Sequence, residues 1–185
     1  MSNRDELVRV LEWYSSAFEE ELAFRDAFLE LLKSDRCFHR DHLPGHITGS
    51  AFIIDESGTH ALLTHHAKLN RWLQPGGHAD GDDNVLRVAM REGEEETGLM
   101  GFKLLHPGFF DIDIHTIPAR TDFPEHQHYD VRFLLQANRG DTFTVTEESH
   151  ALAWVPFDEL AKLTANDSIG RMLEKIQYSK FNIQN

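Results

Sequence analysis

The segment from Asp80 to Glu96 constrains this chain more than any other. It carries seven acids: Asp80, Asp82, Asp83, Glu92, Glu94, Glu95 and Glu96. The stretch Asn84 to Thr97 has helical character, because Val85, Ala89 and the run Glu92 to Glu96 follow a 3.6-residue repeat and Gly98 is a natural stop. On such a helix Glu92 and Glu96 lie one turn apart and Glu95 falls three residues after Glu92, so these carboxylates share a face. Exposed like charges at this spacing cost about 0.2–0.5 kcal/mol per pair. A hard divalent cation converts that repulsion into a site, since Mg²⁺ takes carboxylate oxygens and keeps waters for chemistry. An isolated glutamate run is more often a solvated helix face, so the surroundings decide.

Upstream, no Pro or Gly occurs between Asp5 and Ser34. Leu7, Leu11, Tyr14 and Phe18 follow helical spacing, which Phe24, Phe28 and Leu31 continue, predicting one long helix or two joined ones. Leu43-Pro44-Gly45 is a stop. Ile47 to Asp55 and His60 to His66 then read as a hairpin around Glu56-Ser57-Gly58. Pro75-Gly76-Gly77 closes a loop begun at Trp72. Further strands are expected at Leu104 to His115, His128 to Ala137 and Leu152 to Val155, with closing helices at Phe157 to Leu163 and Ser168 to Tyr178. This order predicts a mixed sheet with helices packed on it, preceded by a helical element. The expected layout is one domain over residues 1–185: a helical extension over 1–40, a core over 46–163 and a C-terminal helix over 164–185.

The formal charge is −13, which disfavours binding of bare nucleic acid unless a cation compensates. Cys37 is the only cysteine, so no internal disulfide can form. The first residues lack the layout of a signal peptide, and no apolar run approaches the roughly 20 residues that span a bilayer. A cytoplasmic protein without nucleic-acid or membrane partners is expected.

The full acidic stretch reads Gly77, five residues, Asp83, seven residues, then Arg91-Glu92-Gly93-Glu94-Glu95-Glu96-Thr97-Gly98-Leu99. It resembles the Nudix box, G-x5-E-x7-R-E-U-x-E-E-x-G-U, where U is bulky and apolar. Every spacing agrees, while Asp83 stands for Glu and Gly93 for the bulky residue. The resemblance implies an α/β (α+β) fold: a Nudix-type α/β/α sandwich with a mixed β-sheet and a loop-helix-loop catalytic motif, plus the N-terminal helical extension. Late in the chain, Trp154-Val155-Pro156-Phe157-Asp158-Glu159-Leu160 also looks like the family's last strand and following helix.

By the same resemblance, Glu92, Glu95 and Glu96 are the metal carboxylates for Mg²⁺, with Mn²⁺ as the alternative, and Gly76 offers its backbone carbonyl. Arg91 would pair with Asp83, Gly77 would permit the tight turn, and Gly98 would end the helix. The proton acceptor would be a box glutamate or a late-loop acid, with Glu147 and Glu148 as candidates. A phenylalanine of the sheet is expected to fill the space opposite Gly93. The implied activity is metal-dependent hydrolysis of a diphosphate linkage in a small molecule, in particular a nucleoside diphosphate joined to another moiety.

Histidines surround this region. His78 follows Gly77, His126 and His128 open a strand, and His65 and His66 end one. They are candidates for phosphate contact, base contact or transition-metal ligation, as against ordinary core or surface histidines. Arg71 and Trp72 could contact phosphate and base. Two rival functions differ in what they require. An isopentenyl-diphosphate isomerase-like enzyme needs a catalytic cysteine, for which Cys37 is the candidate. A non-catalytic binding module predicts damaged carboxylates, yet Glu92, Glu95 and Glu96 are all present. The N-terminal helices could serve as a homodimer interface or a lid.

Overall fold

The structure is a computed structural model that describes residues 3–147, 149–163 and 167–183. Its centre is β1 (Gly45–Asp55), which runs parallel to β7 (His126–Ala137) along its whole length. The other edge of β1 is divided. β2 (His60–His66) pairs with it at Ile53 and Ile54, and β4 (Gly76–His78) pairs at Thr48 to Ser50, both antiparallel. β3 (Arg71–Leu73) and β8 (Ser149–Pro156) join β2. β5 (Lys103–Leu104) and β6 (Asp111–Ile117) join β7.

The two faces follow from the period of a strand. Ile47, Ala51 and Ile53 of β1 and Val131, Phe133 and Leu135 of β7 share a core with three helices. These are α1 (Arg4–Glu12), α2 (Glu19–Leu31) and α3 (Val85–Thr97), which contribute Leu7, Leu11, Phe28, Val85, Val88 and Ala89. The alternate residues Phe52, Ile54 and Leu134 meet Leu160 of α4 (Phe157–Leu163) and Ile169, Met172 and Ile176 of α5 (Asp167–Ile183). Helices therefore cover both sides of a mixed sheet, the expected α/β/α sandwich. Phe28, Phe52 and Phe133 are among the largest fully buried side chains, and each such burial stabilises by about 1.5–3 kcal/mol.

Several boundaries differ from the sequence expectation. Of the one long or two joined helices expected at the N-terminus, the structure has two, and it places the break. Ser16 accepts the Phe18 N–H (3.0 Å), a local bond that competes with helix continuation, and the acidic turn Glu19 to Glu21 restarts the helix. Tyr14 and Phe18 thus lie in the break rather than on a continuous stripe. The strand expected from Leu104 to His115 is two strands, β5 and β6, separated by a segment containing Pro107 and Gly108. The loop from Trp72 to Gly77 contains the short strands β3 and β4.

The edge of β6 is closed by charge. Glu21 of α2, fully buried, accepts from the Ile112 N–H (3.4 Å) and Tyr14 O–H (2.8 Å) and pairs with Lys175 of α5. Lys175 also reaches Asp111 (2.9 Å). Arg171 binds Asp111 (2.9 Å) and Asp113 (3.2 Å), and it pairs with Glu20. Burial pushes the Asp111 carboxyl up, but the hydrogen bond from Arg171 and the charges of Arg132 and Lys175 outweigh it and hold it below the usual range. α2 and α5 therefore meet around one strand.

Candidate active site

The acids of the box divide into two groups by their partners. The three aspartates build the loop. Asp80 binds Arg40 (Nε to Oδ1 2.6 Å), and Asp82 binds Arg87 (2.7 Å) and the Asn84 N–H (2.9 Å). Asp83 accepts the Arg4 N–H (3.3 Å) at the start of α1, where the exposed amides of a helix favour an anion. Asn84 caps α3 by accepting the Arg87 N–H (3.0 Å). At the far end Gly98 takes the left-handed conformation, φ 71°, and its N–H returns to Glu94 O (2.8 Å).

Glu92 and Glu96 face β4. Glu96 is buried and accepts the Gly76 N–H (2.7 Å) and the Thr64 hydroxyl (3.2 Å). Glu92 lies against Gly77 so closely that a Cβ there would sit 2.7 Å from Oε1 and overlap the rest of the carboxylate. Glycine is thus needed for close approach as much as for the turn. Glu95 is largely exposed and lies 3.9 Å from Arg91 Nε.

Arg91 departs from the expected pairing. It donates to Glu92 Oε1 (2.6 Å) and to the His78 carbonyl (3.0 Å), and not to Asp83. The shorter Asp83 side chain is engaged by α1 instead. The hydrogen bond to Glu92 and the nearby carboxylates raise the guanidinium pKa further, so Arg91 stays a fixed cation.

Gly93 is filled as expected by a phenylalanine, though not one of the sheet. Phe102, on the segment between α3 and β5, places Cε2 3.0 Å from where a Gly93 Cβ would be, and Ala51 of β1 lies at 3.4 Å.

The late-loop acids are placed differently. Glu148 lies outside the described residues. Glu147 is exposed, three residues after Thr144, whose N–H bonds to Thr97 O (2.8 Å) and ties this loop to the end of α3. Ser149, two residues after Glu147, pairs with His66 at the end of β2. His65 stacks on Trp72 (5.0 Å, 22°), and Arg71 is exposed on β3.

Sequence reasoning did not single out His46. It lies beside His128 in the parallel β1–β7 register, and His78 lies opposite Thr48, so His46, His78 and His128 emerge on one face. Among the described residues they are the three-residue group whose ligand atoms all lie within 4.8 Å of one another. The detectable signal was alternation. His46-x-Thr48-x-Ser50, His126-x-His128-x-Asp130-x-Arg132 and Asp111-x-Asp113-x-His115 are three polar rows of period two. Along these rows Asp130 accepts from Thr48 (3.0 Å), Ser50 (2.7 Å) and Arg132 (2.8 Å). Cys37 is fully buried, and burial raises its thiol to about 11, so it offers no thiolate near neutral pH.

Comparison with known proteins agrees with this geometry. The NUDIX domain family matches residues 44–176. A probable DHNTP pyrophosphohydrolase of Lactococcus lactis subsp. cremoris is 27% identical over 157 residues, covering 84% of this chain and 78% of that protein. The asymmetrical bis(5'-nucleosyl)-tetraphosphatase of Rattus norvegicus is 25% identical over 113 residues, covering 58% and 70%. The fold is similar to that of a C. elegans Ap4A hydrolase in a binary complex, with TM-score 0.59, 18% identity and coverage of 75% of this chain and 98% of that one. No described helix is long and apolar enough to cross a membrane.

Proposed function

The chain belongs to the Nudix hydrolase family, whose pyrophosphohydrolase members cleave pyrophosphate bonds, and on that premise we propose that it hydrolyses a diphosphate linkage within a small nucleotide-like molecule. The nucleoside diphosphate joined to a second moiety is the favoured substrate class. One observation carries this reading: α3 brings Glu92 and Glu96 onto the backbone of Gly76 and Gly77, with Glu95 exposed on the same helix.

This donor set fits a hard divalent cation, because it consists of carboxylates and nearby backbone carbonyls. Glu92, Glu95, Glu96 and the Gly76 carbonyl would hold Mg²⁺ or Mn²⁺, which supplies neutralisation of phosphate oxygens and a water of lowered pKa. The chain's own residues do the positioning. Arg91 locks the Glu92 carboxylate to the His78 carbonyl, so neither can drift. Gly76 and Thr64 fix both oxygens of Glu96. Proton acceptance falls to a carboxylate that solvent can reach, which favours Glu95 on the helix or Glu147 on the late loop. The stacked His65–Trp72 pair offers a surface for a base, and the exposed Arg71 beside it offers a cation for phosphate.

The rival readings lose support. Buried Cys37 does not suit an isomerase-like proton transfer, and intact box carboxylates do not suit a purely binding module. The test is a hydrolysis screen with Mg²⁺ across nucleoside triphosphates, dinucleoside polyphosphates, nucleotide sugars, coenzyme A and dinucleotide cofactors, with products identified by mass. Glu95→Gln should lower turnover of the best substrate by about 100-fold or more without loss of fold. Near-native turnover in that variant overturns the assignment.

A further inference from the structure

We propose that His46, His78 and His128 form a second metal site, distinct from the carboxylate site. It would take one first-row divalent ion of the Zn²⁺ class on three imidazole nitrogens, with a further position open to an oxygen ligand. The three residues come from three strands, β1, β4 and β7, that register brings side by side. Their rings are mutually close, with centroids 5.1 Å apart for His46–His78, 5.0 Å for His46–His128 and 5.0 Å for His78–His128. One ligand atom from each lies within 4.8 Å of the others. Imidazole nitrogens about 2.0–2.1 Å from a tetrahedral Zn²⁺ are themselves about 3.4 Å apart, so modest ring rotations complete the site.

A second observation points to a ligand. The Nε2 atoms of His46 and His128 are buried and have no hydrogen-bond partner among the described residues. Buried imidazole nitrogens of core histidines are ordinarily satisfied. In His46 the other ring nitrogen, Nδ1, lies 3.4 Å from the His42 carbonyl, to which it can donate, and that leaves Nε2 with its lone pair directed elsewhere. This arrangement is the usual outer support of a metal-bound histidine. Burial disfavours the charged form of His46 and His128. His126 is stacked on His46 at 5.1 Å, and its Nδ1 lies 2.9 Å from the Pro124 carbonyl, so it shields one side of the cluster.

The site faces away from α3. Gly77 pairs with Gly49 and underlies Glu92, whereas His78 pairs with Thr48 and emerges on the opposite face. Nitrogen donors select a softer ion than the carboxylates do. Arg91 connects the two sides, because one guanidinium nitrogen bonds both the His78 carbonyl and Glu92.

The experiment uses chelator-stripped full-length protein in excess Mg²⁺, titrated with Co²⁺ while visible absorption is followed. One equivalent should bind and give the intense bands of a low-coordinate site, and Zn²⁺ should displace it. His46→Ala and His128→Ala should each weaken binding by about 100-fold or more, whereas Glu95→Gln should bind normally. Binding in the histidine variants equal to wild type overturns the proposal, as does loss of binding in Glu95→Gln. If a histidine variant fails to fold, X-ray absorption at the zinc edge of the wild-type protein decides. Three imidazoles around the ion support the site, and two or fewer overturn it. These outcomes do not depend on hydrolysis, so a failed substrate screen leaves them intact.

Discussion

Replacing Gly93 tests whether Phe102 does the packing that a bulky residue performs elsewhere in this motif. Alanine in a helix interior is favoured over glycine by about 1 kcal/mol. At Gly93 the added methyl would lie 3.0 Å from Phe102 Cε2 and 3.4 Å from the Ala51 Cβ. Carbon atoms prefer about 3.5–4.0 Å, so the ring contact is short by about half an ångström. Relieving such overpacking in a well-filled core costs about 1–3 kcal/mol. Gly93→Ala alone should therefore lie between neutral and about 2 kcal/mol destabilising. Phe102→Ala alone should cost about 3–5 kcal/mol, because it empties the same space. In the Phe102→Ala background the overlap is gone, and Gly93→Ala should recover its helix gain of about 1 kcal/mol. Urea unfolding of the four proteins, monitored by far-ultraviolet circular dichroism, reads the coupling directly. Additivity within about 0.5 kcal/mol would refute the reasoning, since independent sites behave that way.

Other consequences follow from the same geometry. Gly77→Ala would push the Glu92 carboxylate off β4, and steady-state kinetics should show a fall in kcat of about 100-fold with the fold retained. Arg171→Met leaves Asp111 and Asp113 short of a buried cation and should destabilise by about 3–5 kcal/mol in thermal unfolding. Both carboxyls sit below their ordinary range in the folded chain, so unfolding takes up protons. Their contribution is complete above the unfolded value of about 3.9 and is lost as pH falls through the lower folded values, which acid titration followed by circular dichroism will record.

The helix α3 was legible because its determinants are local. Asn84, the run of glutamates and Gly98 each act within a turn of where they stand. The strands were legible where an apolar run meets a turn signal, as in Ile47 to Asp55 before Glu56-Ser57-Gly58. The N-terminal break was not, because Tyr14 and Phe18 keep helical spacing while Ser16 redirects the backbone. Partners across the fold were also hidden. Arg91 could be expected near Asp83 by resemblance, but the choice depended on α1 delivering the Arg4 amide to that carboxylate. His46 carried no motif of its own, and it was placed by a parallel register with His128, far along the chain. Phe102 likewise answers Gly93 from outside the box.

The charge clasp around β6 bears on how the chain is made. Glu21 and Asp111 are synthesised well before Arg171 and Lys175, the cations that neutralise them. A nascent chain halted short of α5 would set Arg132 alone against Asp111 and bury Glu21 without the α5 cations, or leave β6 with an uncovered edge. Vectorial synthesis thus makes α5 the element that completes the clasp, and Glu21 of α2 gains its cations only once α5 has left the ribosome.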